Sequence, residues 1–180
     1  KDRFAKVLVT LVHIEGSSYR RPGAHLLIGS GGEYAGTISG GCLEAEVVRK
    51  AAWMVRDGAV LERYSTLFDD TAEIPFGLGC GGIVDLLLEP ADTPECLALV
   101  EAMEVSLIGA EFRVATWLPQ NGKPLARAIF IASGKPTQAS TSLSSADLAT
   151  ISIANWTNGI SPGEPLIYCE TLSPPQRLFV

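Results

Sequence analysis

Residues 5–14 read AKVLVTLVHI. Val7, Val9 and Leu11 fall on one face of an extended chain, and Leu8, Val12 and Ile14 on the other. A strand apolar on both faces has no side to give to water, so it belongs in the interior of a sheet. The rest of the fold is expected to assemble around it. Moving outward, GSSYRRPG (16–23) is a loop punctuated by Pro22 and Gly23. His25–Ile28 and Tyr34–Ile38 read as short strands joined by a tight GSGG turn (29–32). After Ser39-Gly40-Gly41 the period changes. Leu43, Val47, Ala51 and Met54/Val55 form one helical stripe within 42–57, and Gly58 closes that helix. Val60–Ser65 reads as a strand, and a glycine loop over 77–82 leads into IVDLLLEP (83–90), a strand closed by Pro90.

Beyond Pro94 the texture is plainer. Residues 95–107 read as a helix, and 111–118 and 125–132 as strands joined across Asn121-Gly122. Ser144 is placed to cap a short helix holding Leu148 and Ile151, and 166–171 is a last strand. The fold class expected is mixed α/β (α+β), with a central mixed sheet flanked by helices. The organisation expected is a glycine-rich region over 1–92, a smaller α+β region packed on it over 93–173, and a linker over 174–180.

Composition excludes whole classes of function. With 47% apolar and 19% charged residues over 180 positions, the chain is neither disordered nor fibrous, and its size supports a core without disulfides. Fourteen basic against 20 acidic residues give a net charge of −6, which argues against a nucleic-acid binder relying on a broad basic surface. No apolar run approaches the ~20 residues of a membrane helix, so no membrane partner is expected. No signal-peptide core follows the opening KDRFAK, so a cytoplasmic protein is expected, with its cysteines as thiols. Cys96 and Cys169 are read as core residues.

Glycine points to the working half. Thirteen of the 18 glycines lie between Gly16 and Gly82, and eight of these fall in three segments that can carry chemistry. In the first, Ser17, Ser18, Arg20 and Arg21 put two hydroxyls and two guanidinium forks on one loop. That set suits a phosphate or carboxylate, although a turn with solvated arginines has the same composition. In the second, Ser39, Gly40, Gly41, Cys42 and Glu44 mark a strand running through glycines into a helix, where unpaired backbone N–H groups favour an anion. The helix dipole would activate the Cys42 thiol, with Glu44 and Glu46 opposing it; equally, Cys42 can be a small buried apolar group. In the third, Gly79, Cys80, Gly81 and Gly82 leave a second thiol on nearly bare backbone. If the flanking strands are neighbours, the loops line one crevice at the strand ends. Neither a P-loop nor a GxGxxG fingerprint is present, and a hydrolase has no GxSxG elbow. Zinc is disfavoured, because the cysteines and the two histidines lack ligand spacing.

Taken together and in order, GSSYRRPGA (16–24), ISGGCLEAEV (38–47) and FGLGCGGIVDLLLEP (76–90) resemble the XdhC/CoxI family of xanthine dehydrogenase accessory proteins. The resemblance implies a bacterial maturation factor and not a turnover enzyme. Such a factor binds molybdenum cofactor (molybdopterin with its metal) as cargo and supports its sulfuration by a cysteine desulfurase. It then hands the cofactor to an apo molybdenum hydroxylase of the xanthine dehydrogenase type. It implies that Arg20, Arg21 and the N–H groups around Gly40 and Gly41 contact phosphate and pterin. Cys42 and Cys80 would then face the molybdenum or carry a persulfide. A C-terminal Rossmann-like domain is also implied, with PPQRLFV (174–180) as linker and opening strand. Two rival readings stay open: a sulfurtransferase that accepts a persulfide on Cys42, and an anion-binding or homodimerisation module whose glycines serve packing alone.

Overall fold

The computed structural model describes residues 5–41, 43–65, 82–131, 133–151, 156–161 and 163–174. The chain divides into two compact units, 1–92 and 93–180. Both are α+β, the class expected from sequence. In place of one central mixed sheet, however, the strands form two separate five-stranded sheets in which every recorded pair is antiparallel. Five of the eight recorded pairs join consecutive strands across connections of nine residues or fewer, too short for a parallel crossover. Antiparallel neighbours can be joined by a short turn, whereas parallel neighbours need a crossover of about a dozen residues.

In the first unit, β1 (Ala5–Glu15), β2 (His25–Gly29), β3 (Tyr34–Gly36), β4 (Val60–Ser65) and β5 (Ile83–Pro90) lie in the order β3-β2-β1-β5-β4. β1 is the middle strand, as its two apolar faces require: Val7, Val9 and Leu11 are buried on one face, and Leu8, Thr10 and Val12 on the other. The helix α1 (Glu44–Met54) carries the chain from β3 at one edge to β4 at the opposite edge. Its Val47 and Ala51, with Leu43 before it and Val55 after it, pack against Val7, Val9, Leu11, Leu26, Leu86 and Leu88 to form the core.

In the second unit, β6 (Phe112–Trp117), β7 (Ala126–Ile131), β8 (Pro136–Ala139), β9 (Gly159–Ile160) and β10 (Ile167–Leu172) take the order β8-β7-β6-β10-β9. The helix α2 (Pro94–Leu107) starts at Thr93, whose hydroxyl accepts from the Cys96 N–H at 3.2 Å, with Pro94 in the first turn. Ser144 caps the five-residue α3 (Ser145–Ala149) through a reciprocal capping box with Asp147. Leu148 and Ile151 pack onto a core of Trp117, Phe130, Ile167 and Cys169. Cys96 and Cys169 are buried free thiols, and burial pushes the Cys169 thiol up from its ordinary pKa.

Antiparallel alternation fixes where the loops go. β1 and β3 run toward the end of the first sheet from which β5 departs, because Glu15 pairs with Ile83 and Leu26 pairs with Gly36. The 16–24 loop, residues 37–41 and Gly82, which immediately precedes β5, therefore gather at one sheet end. Because Leu11 is fully buried in the core that supports this end, Leu11→Ala should cost about 2–5 kcal/mol. Urea denaturation of the two proteins measures that loss.

Candidate functional site

The 16–23 loop folds back onto its own strand. Gly23 N–H donates to the Leu11 carbonyl and Leu11 N–H to the Ala24 carbonyl, both at 2.9 Å. The loop then touches each of the other two motifs. A Cβ at residue 82 would stand 2.3 Å from the Ser17 carbonyl oxygen and 2.9 Å from that of Glu15. A Cβ at residue 40 would stand 2.8 Å from Cδ2 of the Tyr19 ring and 3.1 Å from Cε2. Only glycine permits the backbone approach at 82, and only glycine leaves the Tyr19 ring where it is at 40. The first motif thus lies against Gly40 of the second motif and Gly82 of the third.

The second motif is held by its own carboxylate. Glu44 is 3% exposed, and its Oε1 accepts from the Thr37 hydroxyl at 2.6 Å, the Ser39 N–H at 2.9 Å and the Ile38 N–H at 3.1 Å. Its other oxygen, Oε2, accepts a short hydrogen bond from the Ser39 hydroxyl. That same Ser39 oxygen accepts from the N–H groups of Gly41 and Leu43, each at 3.2 Å. Burial works to raise the Glu44 pKa, but the hydrogen bonds from Ser39 and Thr37 outweigh it and bring it from its ordinary 4.5 down to about 2. Four backbone N–H groups of the strand-to-helix turn therefore serve an anion supplied by the chain itself, directly or through the Ser39 hydroxyl. Glu46, also buried, forms ion pairs with Arg49 and Lys50.

A charged cluster flanks Gly82. The Arg63 guanidinium forks onto Asp85, with Nε donating to Oδ1 at 2.7 Å and Nη2 to Oδ2 at 2.9 Å, and it also reaches Glu15 at 3.0 Å. Asp85 and Glu15 hold its pKa above the ordinary guanidinium value. This network ties the ends of β1, β4 and β5 together, as a buried carboxylate requires.

The predicted site residues accordingly fall into three groups. Ser17, Ser18, Arg20 and Arg21 lie on the 16–23 loop, where both arginines are exposed and neither meets an acidic partner among the described residues. Ser39, Gly40, Gly41, Glu44 and Gly82 belong to the two motifs that this loop lies against. Cys42, Gly79, Cys80 and Gly81 lie outside the described residues. Two features of the site go beyond the sequence expectations. One is Tyr19, whose ring rests on Gly40. The other is the part played by Glu44, as the occupant of the anion position instead of a neighbour to it. An aromatic set directly before two arginines was the available signal for Tyr19. Among the described residues there is no cluster of three or more metal-ligating side chains and no helix long and apolar enough to cross a membrane.

Comparison with known proteins bears on the same stretch. Residues 3–65 match the model of the XdhC and CoxI family. Over 90 residues the chain is 33% identical to a Bacillus subtilis (strain 168) protein named as a probable subunit of xanthine dehydrogenase; this match covers 49% of this chain and 27% of that protein. Over 95 residues it is 36% identical to the molybdenum cofactor insertion chaperone PaoD of Escherichia coli (strain K12), covering 52% and 29% respectively. The matches thus span under a third of the length of these two relatives. A crystal structure named as a xanthine dehydrogenase from Bacillus halodurans superposes with a TM-score of 0.72 at 27% identity, over 94% of this chain and 49% of that one.

The Glu44 network makes a prediction with a definite sign. Its folded pKa is depressed, so the unfolded chain takes up the proton first, and the stabilisation is complete above the ordinary value of 4.5 and lost as pH falls toward about 2. Glu44→Gln should cost about 2 kcal/mol at neutral pH. The gap between the two proteins should close as pH drops through that window, which denaturant titrations at a series of pH values will show.

Proposed function

We propose, from the match of residues 3–65 to the XdhC and CoxI family model, that the chain binds molybdenum cofactor as cargo and serves the maturation of a xanthine dehydrogenase-type molybdenum hydroxylase. The observation that carries this reading is that the 16–23 loop lies against both Gly40 and Gly82 at one end of one sheet. Support also comes from a relative named as a molybdenum cofactor insertion chaperone.

The chemistry of the cargo fits the groups available. Molybdopterin carries a phosphate, a flat pterin rich in hydrogen-bonding atoms, and a dithiolene that holds the metal. Arg20 and Arg21 are exposed cations whose planar donor forks match phosphate geometry. Because Glu44 and Ser39 already take the N–H groups of residues 38, 39, 41 and 43, the phosphate goes to the arginines and not to the helix start. In this reading Cys42 and Cys80, which adjoin Gly41 and the Gly81-Gly82 pair in sequence, supply the thiols that face the metal. The role is that of a carrier: it holds the cofactor, shields it and releases it to the client.

Replacing both arginines tests the assignment. Arg20→Ala/Arg21→Ala should lower the affinity for molybdenum cofactor at least about tenfold, since each charge-assisted contact contributes about 1.5–3 kcal/mol. The fold should be unaffected, because both side chains are exposed. Equilibrium retention of the cofactor on purified protein, with thermal unfolding run alongside, measures both. Retention equal to that of the wild type removes the loop from the site.

A further inference from the structure

Tyr19 is 69% exposed, although its ring lies close to the Gly40 backbone. Singly exposed apolar side chains are common and need no explanation by themselves. Tyr19 differs because the neighbouring backbone is shaped to receive it. Three ring carbons, Cγ, Cδ2 and Cε2, lie 2.8–3.2 Å from the point where residue 40 would carry a Cβ. One side of the ring thus rests against the Gly40 backbone. The remainder of the ring faces solvent, in direct sequence with the exposed Arg20 and Arg21. Removing apolar ring surface from water is favourable, so a large aromatic left open beside two cations is available to a ligand that offers both a flat face and a negative charge.

We propose that Tyr19 is the stacking platform of this site, taking the flat heterocycle of a phosphate-bearing ligand against its open side while Arg20 and Arg21 take the phosphate. This rests on the cofactor-binding reading above and adds to it the residue that selects for a planar ring. A tyrosine suits the task because every conjugated heterocycle presents a π-face, and stacking on an aromatic contributes without requiring a particular hydrogen-bond pattern. Gly40 is then a positioning residue. Its missing side chain lets the ring lie on the loop instead of swinging into solvent.

The test compares the wild type with Tyr19→Phe, Tyr19→Leu and Gly40→Ala in binding molybdenum cofactor, and adds Tyr19→Trp as a fluorescent reporter. The phenylalanine variant should bind as the wild type does. The leucine variant should bind at least about fivefold more weakly. The added methyl of Gly40→Ala displaces only an exposed ring, so thermal stability should hold while affinity falls as in the leucine variant. Emission from the indole introduced by Tyr19→Trp should be quenched on addition of the cofactor. Undiminished binding by both Tyr19→Leu and Gly40→Ala, in a protein whose wild type binds, overturns the platform and leaves the cofactor-binding reading standing. Absence of binding by the wild type overturns both.

Discussion

No side chain can stand at residue 82. The Ser17 carbonyl oxygen approaches the start of β5 so closely that the 2.3 Å left for a Cβ is well below any real contact. This approach sets the 16–23 loop against the sheet end, where its bonds to Leu11 hold it, and the Tyr19 ring lies against Gly40 in the turn before α1. Gly40 and Gly82 are therefore required by the packing of loop on loop, whereas Gly16, Gly23 and Gly41 serve the positive φ that their turns need. The same packing leaves Arg20, Arg21 and Tyr19 on the outside of the cluster.

Charge is handled in two ways at this end of the molecule. Where carboxylates are buried they are fully engaged: Glu44 by Thr37, Ile38 and Ser39, and Asp85 by the Arg63 fork. Isolated burial of either would be prohibitive. Where cations are exposed, at Arg20 and Arg21, they meet no acidic side chain among the described residues. A base whose buried carboxylates are already engaged, beside two accessible guanidiniums, is suited to receive an anion at the guanidiniums. The loop does not have to reorganise to admit it.

Much of this was legible in the sequence, and the residues explain why. β1 is central because AKVLVTLVHI has no polar face, and α1 and α3 form where a helical stripe and the Ser144 cap place them. The three motifs stood out because glycine is so unevenly spread. What could not be read was partnership. Whether neighbouring strands run parallel or antiparallel depends on connections and not on the strands' own composition, so two antiparallel sheets took the place of one mixed sheet. β8 and β9 escaped notice because Pro136–Ala139 and Gly159–Ile160 are short edge segments without an apolar period. Glu44 reads from sequence as a first-turn acid near an anion site. Its carboxylate turns back five to seven residues to fill that site, and only the fold reveals it.

Residues far apart in the chain are held to act as one receiving surface. Backbone amide NMR of the 180-residue chain, titrated with molybdenum cofactor, tests this most directly. The resonances of Ser17–Arg21, Gly40–Gly41 and Gly82 are predicted to shift together with a single dissociation constant. Shifts confined to one of these three segments, or following separate binding curves, would contradict it.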